Sequence, residues 1–140
     1  MEPSPDDLYV LYTGGTTGMP KGVLWRQHDI FMTSFGGRSL YTGEVIGSLD
    51  DIAKGAAENP GTKLMILPPL MHGAAQWATF TAMNTGQSVV FSSVISRLDP
   101  DDVVATIERE KVLAVTVVGD AMARPLAASQ RRKQHEQSRI

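Results

Sequence analysis

Leu8-Tyr9-Val10-Leu11-Tyr12-Thr13-Gly14-Gly15-Thr16-Thr17-Gly18-Met19-Pro20-Lys21-Gly22-Val23-Leu24-Trp25-Arg26 is the stretch that decides the fold. Two β-rich runs, 8–12 and 22–26, flank a glycine-rich connection, so the segment reads as strand, loop, strand. Gly14, Gly15 and Gly18 let the backbone approach an anion closely. Thr13, Thr16 and Thr17 add hydroxyl donors, and Lys21 adds a point charge. This is not the Walker loop, because Pro20 precedes Lys21 and Gly22 follows it, where a hydroxyl for magnesium would stand. With a strand after the loop there is no helix N-terminus to hold phosphates. Anion binding would rest on loop amides, threonine hydroxyls and Lys21.

Outward from the loop, the first strand reads as buried. Residues 29–35 read as a short helix stopped by Gly36-Gly37, and a second helix is expected near 47–57. Residues 63–67 form a short apolar strand ended by Pro68-Pro69. Residues 74–85 are apolar almost all round, with Gly86 in the C-cap place, which reads as a buried helix. Trp77, Phe80 and Met83 on it suit a core or the wall of a lipid pocket, and Trp25 reads as packing. Ser88-Val89-Val90-Phe91 is a strand. Asp99 N-caps a helix with Pro100 at its first position and Asp101 and Asp102 in its first turn. Residues 113–118 read as a strand buried on both faces, and Asp120 as the N-cap of a helix starting near Ala121. Strands alternating with helices imply an α/β layered fold with a largely parallel sheet.

Length and composition allow one domain: 140 residues, 42% hydrophobic. Without cysteine there is no disulfide framework, thiolate zinc site or catalytic cysteine. The acidic, proline-broken N-terminus does not read as a signal peptide, and no apolar run reaches transmembrane length, so a cytoplasmic location is expected. The net charge of −2 hides an asymmetry, since residues 1–130 hold 9 Lys/Arg against 14 Asp/Glu while residues 131–140 hold 4 against 1. An acidic body excludes nucleic-acid binding on charge grounds. Residues 129–140, almost without apolar side chains, read as a polar basic tail, frayed or weakly helical, behind a domain of residues 1–128. No His/Asp/Glu cluster has metal-site spacing, His28 and His135 have no partner spacing, and no Gly-x-Ser-x-Gly elbow supports a hydrolase.

The loop, ending in Met19-Pro20-Lys21-Gly22, resembles the signature of the adenylate-forming superfamily, which includes acyl-CoA synthetases, peptide-synthetase adenylation domains and luciferases. With Gly14 and the run Gly22-Val23-Leu24-Trp25-Arg26-Gln27-His28, it is most similar to bacterial fatty-acyl and sterol-side-chain CoA ligases. Leu67-Pro68-Pro69-Leu70-Met71-His72-Gly73 and Val117-Val118-Gly119-Asp120 carry the resemblance further, to about Leu126. It implies part of the family's large N-terminal α/β domain and a ligase that makes acyl-CoA, AMP and pyrophosphate from a carboxylic acid, ATP and coenzyme A. ATP would come with magnesium, and Thr13, Gly14, Gly15, Thr16, Thr17, Gly18 and Lys21 would cradle the β- and γ-phosphates. His72 either stands at the acyl pocket or closes a proline turn through its backbone.

Absent from the chain are the family's Tyr-Gly-x-Thr-Glu element, its ribose-binding aspartate and its C-terminal domain with the adenylation lysine. No residue is therefore assigned a catalytic role. The expectation is a ligase fragment inactive by itself, from a truncated gene product or a frame changed near Ala128. A non-catalytic nucleotide-phosphate-binding remnant and an unstable interaction fragment are the alternatives. Apolar faces without covering layers imply self-association.

Overall fold

The computed structural model describes residues 2–14, 18–39, 42–59 and 61–138. β1 (Leu8–Thr13) and β2 (Lys21–Arg26) form an antiparallel hairpin, Thr13 opposite Lys21 and Leu8 opposite Arg26. The strand, loop, strand reading holds, but β1 is not a buried strand. Side chains alternate across a sheet. Leu11 is buried and Tyr9 half-buried, while Leu8, Val10 and Tyr12 on the other face are exposed.

α1 (Gln27–Ser34) follows β2 directly. It ends where expected: Gly36 takes φ +93° and the Gly37 N–H bonds to Phe31 O at 3.0 Å. α2 (Leu49–Glu58) starts at Ser48, whose hydroxyl accepts the Asp51 N–H at 3.2 Å, satisfying one of the unpaired donors of a helix start. An isolated antiparallel bridge, Arg38 to Val45, closes the segment between these helices.

The second sheet is parallel, with β3 (Lys63–Ile66) between β4 (Ser88–Val90) and β5 (Ala114–Thr116). α3 (Gly73–Asn84) leads from β3 to β4, and α4 (Pro100–Glu110) from β4 past β3 to β5. The path thus reverses across the sheet beside β3, and its carboxyl ends meet at a topological switch point. Met65 and Ile66, on opposite faces of β3, are both buried, so the core runs through the central strand. Gly86, at φ +75°, lies against α2, where a Cβ would stand 2.0 Å from Ala56 O. The Asn59 amide adds a bond to Thr85 O at 3.1 Å.

Four expectations are corrected by packing. α3 is not buried all round: Ala75 and Ala82 are, but Phe80 is 43% and Met83 61% exposed. β5 is a three-residue edge strand rather than an interior one spanning 113–118, with Leu113 71% exposed. Asp120 is not an N-cap. Gly119, at φ +68°, precedes α5 (Asp120–Gln137), and the Asp120 carboxylate pairs with Arg124 one turn on, at 2.6 Å. Residues 129–137 are not a frayed tail but the second half of α5, fixed to α4 by polar contacts. Ser129 is buried and bonded to Asp101, Arg132 pairs with Asp101 at 2.9 Å, and Lys133 pairs with Glu108. A segment without apolar side chains can dock when its partner helix presents carboxylates at the right height.

Asp99 caps α4 as its sequence implies, accepting the Asp102 N–H at 3.2 Å. That bond and Arg97 hold its carboxyl below the ordinary range. Among the described residues no helix is long and apolar enough to cross a membrane.

Candidate phosphate-binding site

The hairpin brings the two ends of the glycine-rich loop together. Thr13 closes β1 and Lys21 opens β2, and they are direct cross-strand partners. Across this base Thr13 Oγ1 donates to Lys21 O at 3.3 Å. Gly14 and Gly18 lie beyond it, and among the described residues nothing comes within 4 Å of a Cβ placed on either. Gly18 takes φ +156°, a state that side-chain-bearing residues rarely adopt. Gly15, Thr16 and Thr17 lie outside the described residues. Lys21 is exposed and, among the described residues, has no carboxylate partner.

The inner face of the hairpin seats on α3 and the turn before it. Leu11 presses on Gly73, where a Cβ would stand 2.6 Å from Leu11 Cδ2. Trp25 meets Trp77 edge-on, ring centroids 5.9 Å apart, so Trp77 is a packing residue and Trp25 its partner. Tyr9 packs edge-on against Phe35 at 5.6 Å and donates its hydroxyl to Gln76 Oε1. The sequence names Gly73 only as the end of the 67–73 element and gives Gln76 no role. Gly73 carried a signal, a glycine opening an apolar helix beside a proline turn, whereas nothing local marks Gln76.

His72 stands immediately before α3. Its N–H bonds to Pro69 O at 2.9 Å, and its carbonyl accepts the N–H groups of Ala75 and Gln76, both at 3.1 Å. Its backbone therefore closes the proline turn, while its side chain is exposed and makes no capping bond. Against the same turn, at the carboxyl ends of β3 and β4, lies a cavity of about 360 Å³ with Leu67, Pro68, Leu70, Phe91, Ile95 and Met122 in its walls. His72 is not among its lining residues. A separate apolar cavity of about 600 Å³ lies beside α1, lined by Pro5, Leu8, Ile30, Phe31 and Phe35 among others.

The donors at the hairpin mouth suit phosphate oxygens: backbone amides of Gly14 and Gly18 and the Lys21 ammonium, which has no carboxylate partner among the described residues. They do not suit magnesium, which takes carboxylate and water oxygens. No group of three or more His, Asp or Glu among the described residues could hold a metal ion. The other two carboxylates held below their ordinary range lie elsewhere, Asp101 through the Ser129 hydroxyl and then Arg132, and Glu110 through Lys63 and then Arg109.

The architecture is that of an α/β layer preceded by a hairpin whose two ends, Thr13 and Lys21, flank a glycine-rich connection. The chain belongs to the AMP-binding enzyme family, whose model matches residues 1–140. It is 75% identical over 125 residues to the medium-chain acyl-CoA ligase Mig of Mycobacterium avium, covering 89% of this chain and 23% of that protein. It is 49% identical over 125 residues to a medium/long-chain-fatty-acid and 3-oxocholest-4-en-26-oate CoA ligase of Mycobacterium marinum, covering 89% of this chain and 22% of that one. The chain thus spans under a quarter of the length of these curated relatives.

Among solved structures it is similar to the o-succinylbenzoate CoA synthetase of Bacillus subtilis. The complex with the acyl-adenylate intermediate OSB-AMP matches with TM-score 0.64 at 25% identity, over 89% of this chain and 28% of that one. The complex with ATP and a magnesium ion matches with TM-score 0.60 at 25% identity, over 85% and 21%. The expected layered α/β architecture is the one found.

Proposed function

We propose that this chain is the phosphate-loop segment of an AMP-forming acyl-CoA ligase that takes medium- to long-chain or sterol-side-chain carboxylic acids. The observation that carries this is the hairpin clasp: Thr13 bonded to Lys21 O at the base of the glycine-rich connection, with the Lys21 ammonium free of carboxylates among the described residues. Coenzyme A would supply the thiol that displaces AMP from the acyl-adenylate, and ATP the adenylyl group that the carboxylate first takes at the α-phosphate with release of pyrophosphate. Thr13, Gly14, Gly15, Thr16, Thr17, Gly18 and Lys21 are the residues proposed to hold the β- and γ-phosphates of ATP. Within that set Thr13 spends its hydroxyl proton on Lys21 O, so its first contribution is the shape of the loop. Transfer at phosphorus needs charge neutralisation and positioning more than covalent help, and a glycine-rich loop with one lysine would supply part of both.

The acyl chain is assigned to the apolar cavity beside the Pro68-Pro69 turn, and His72, which does not line it, is kept as an acyl-site candidate through the turn it shares with Leu70. The name of the Mycobacterium avium relative supports a medium-chain acid, and that of the Mycobacterium marinum relative a longer or sterol-derived one. The chain by itself is proposed to bind without turnover, because it carries no match to the family's Tyr-Gly-x-Thr-Glu element or to its adenylation lysine. A cytoplasmic location belongs to the same reading, since ATP and coenzyme A are met there. Self-association is proposed through the outer face of the hairpin, where Leu8, Val10, Tyr12 and Leu24 are exposed together.

Calorimetric titration with ATP, pyrophosphate and AMP tests the phosphate reading. ATP and pyrophosphate should bind better than AMP, and Lys21→Ala should weaken both by about tenfold, as loss of a charge-assisted hydrogen bond implies. Equal affinity for AMP and ATP would mean that the loop is not the site.

A further inference from the structure

The glycine loop and the His72 turn are separated by some fifty residues of chain, yet one side chain joins the structures that carry them. Gln76, in the first turn of α3, accepts the Tyr9 hydroxyl at Oε1 and donates from Nε2 to Leu70 O at 2.7 Å. Tyr9 belongs to the inner face of β1, the strand that ends in Thr13 and feeds the loop. Leu70 belongs to the Pro68-Pro69 turn, two residues before His72. Both halves of the amide are used, which fixes its orientation: turned over, Oε1 would face the Leu70 carbonyl oxygen, and two acceptors repel.

The surroundings leave little slack. Phe35 holds the Tyr9 ring edge-on, and Phe35 in turn packs against Phe80 of α3 at 4.7 Å. One residue before Gln76 is the fully buried Ala75, and one residue after it is Trp77, locked against Trp25 of β2. Leu11 on Gly73 completes the contact, with no room for a Cβ. A displacement of β1 along its axis therefore cannot be absorbed by a rotamer change at Tyr9 without breaking the bond to Gln76.

We infer that Gln76 is a positioning residue: through Tyr9 and Leu70 it couples the phosphate-loop hairpin to the turn that carries His72. Occupation of the loop is thereby transmitted to the approach of the acyl cavity, whose wall includes Leu70. The coupling rests on the phosphate reading of the loop, whereas the joint itself does not. In a ligase this places the two substrates' sites in fixed register before either is filled, which is where an enzyme gains most from orientation.

The two arms can be cut separately. Tyr9→Phe removes the donor to Gln76, and Gln76→Glu keeps an acceptor for Tyr9 while losing the donor to Leu70 O. Resonances of the hairpin, of Leu70 and Met71, and of the His72 imidazole are followed by NMR in the 140-residue chain and both variants, first without ligand and then with added pyrophosphate. Without ligand, Tyr9→Phe should shift the Leu70, Met71 and His72 signals although the hydroxyl removed lies on β1. With pyrophosphate the wild-type chain should show changes at both hairpin and His72. In either variant the hairpin changes should persist and the His72 response should shrink about fivefold, the scale set by one hydrogen bond. Unaltered turn signals in ligand-free Tyr9→Phe, or a His72 response equal in all three proteins, would overturn the coupling. A wild-type hairpin indifferent to pyrophosphate would instead defeat the phosphate reading, and the ligand-free comparison would still decide the joint. Should Tyr9→Phe fail to fold, Gln76→Glu, changed by a single group, decides the same question.

Discussion

Replacing Gly86 by alanine should separate α2 from α3. Two effects act at this position. The backbone is left-handed, φ +75°, which costs a side-chain-bearing residue about 1–2 kcal/mol. The added methyl would also stand 2.0 Å from the Ala56 carbonyl oxygen and 2.7 Å from its carbon. That neighbour is helix backbone, which cannot rotate away as a side chain could, so α2 must move by more than an ångström or the helix must unwind. Overpacking of this kind costs about 1–3 kcal/mol, for a combined loss of about 2–5 kcal/mol.

Gly61 is the control, at φ +93° with nothing within 4 Å of its Cβ position, so Gly61→Ala carries only the backbone cost of about 1–2 kcal/mol. Urea unfolding of both variants measures the difference, with an unchanged slope showing that the denatured state is the same. Hydrogen exchange adds a local readout, since α2 has no buried residue of its own and depends on this contact and the Asn59 to Thr85 bond. Gly86→Ala should lose about 1–3 kcal/mol more than Gly61→Ala and deprotect α2 selectively. Equal losses, or uniform deprotection, would refute the close approach as the reason for glycine.

Further outcomes follow from the same structure. Asp101 has its folded pKa depressed below the ordinary 3.8, first by the Ser129 hydroxyl and then by Arg132, so the stability it adds is complete above that value and lost as pH falls through the folded one. Acidification should therefore release the second half of α5 before α4 melts, seen as exchange of residues 129–137. Asp101→Asn should remove that step, and high salt should imitate it. ATP–pyrophosphate exchange with a panel of fatty and sterol acids should stay at background for the isolated chain, and carboxylate-dependent exchange abolished by Lys21→Ala would contradict this. Sedimentation should show concentration-dependent association and a hydrophobic dye should bind. Val10→Lys with Leu24→Lys, paired across the outer face of the hairpin, should reduce both, and a monodisperse wild-type monomer without dye binding would exclude the surface.

The features the sequence determined by itself are those whose physics is local. The hairpin follows from two β-rich runs around a glycine loop, α4 from Asp99 and Pro100, and the ends of α1 and α3 from glycines that take positive φ. Lys21 and the glycines proposed to hold phosphate could be named from sequence for the same reason, since such a loop would be built from contiguous residues. Tertiary structure alone decided what covers each element. Residues 113–118 are as apolar as an interior strand, yet only 114–116 pair, at a sheet edge, because burial depends on which neighbours arrive and not on the run itself. The helix of residues 74–85 is apolar all round but has protein on part of its circumference only. Residues 129–137 look like a solvated tail until α4 sets Asp101 and Glu108 opposite Ser129, Arg132 and Lys133, a match between helices that no local pattern records. Gln76 joins Tyr9 to Leu70, and a residue bonded to a partner 67 positions away has a role that only the folded chain creates.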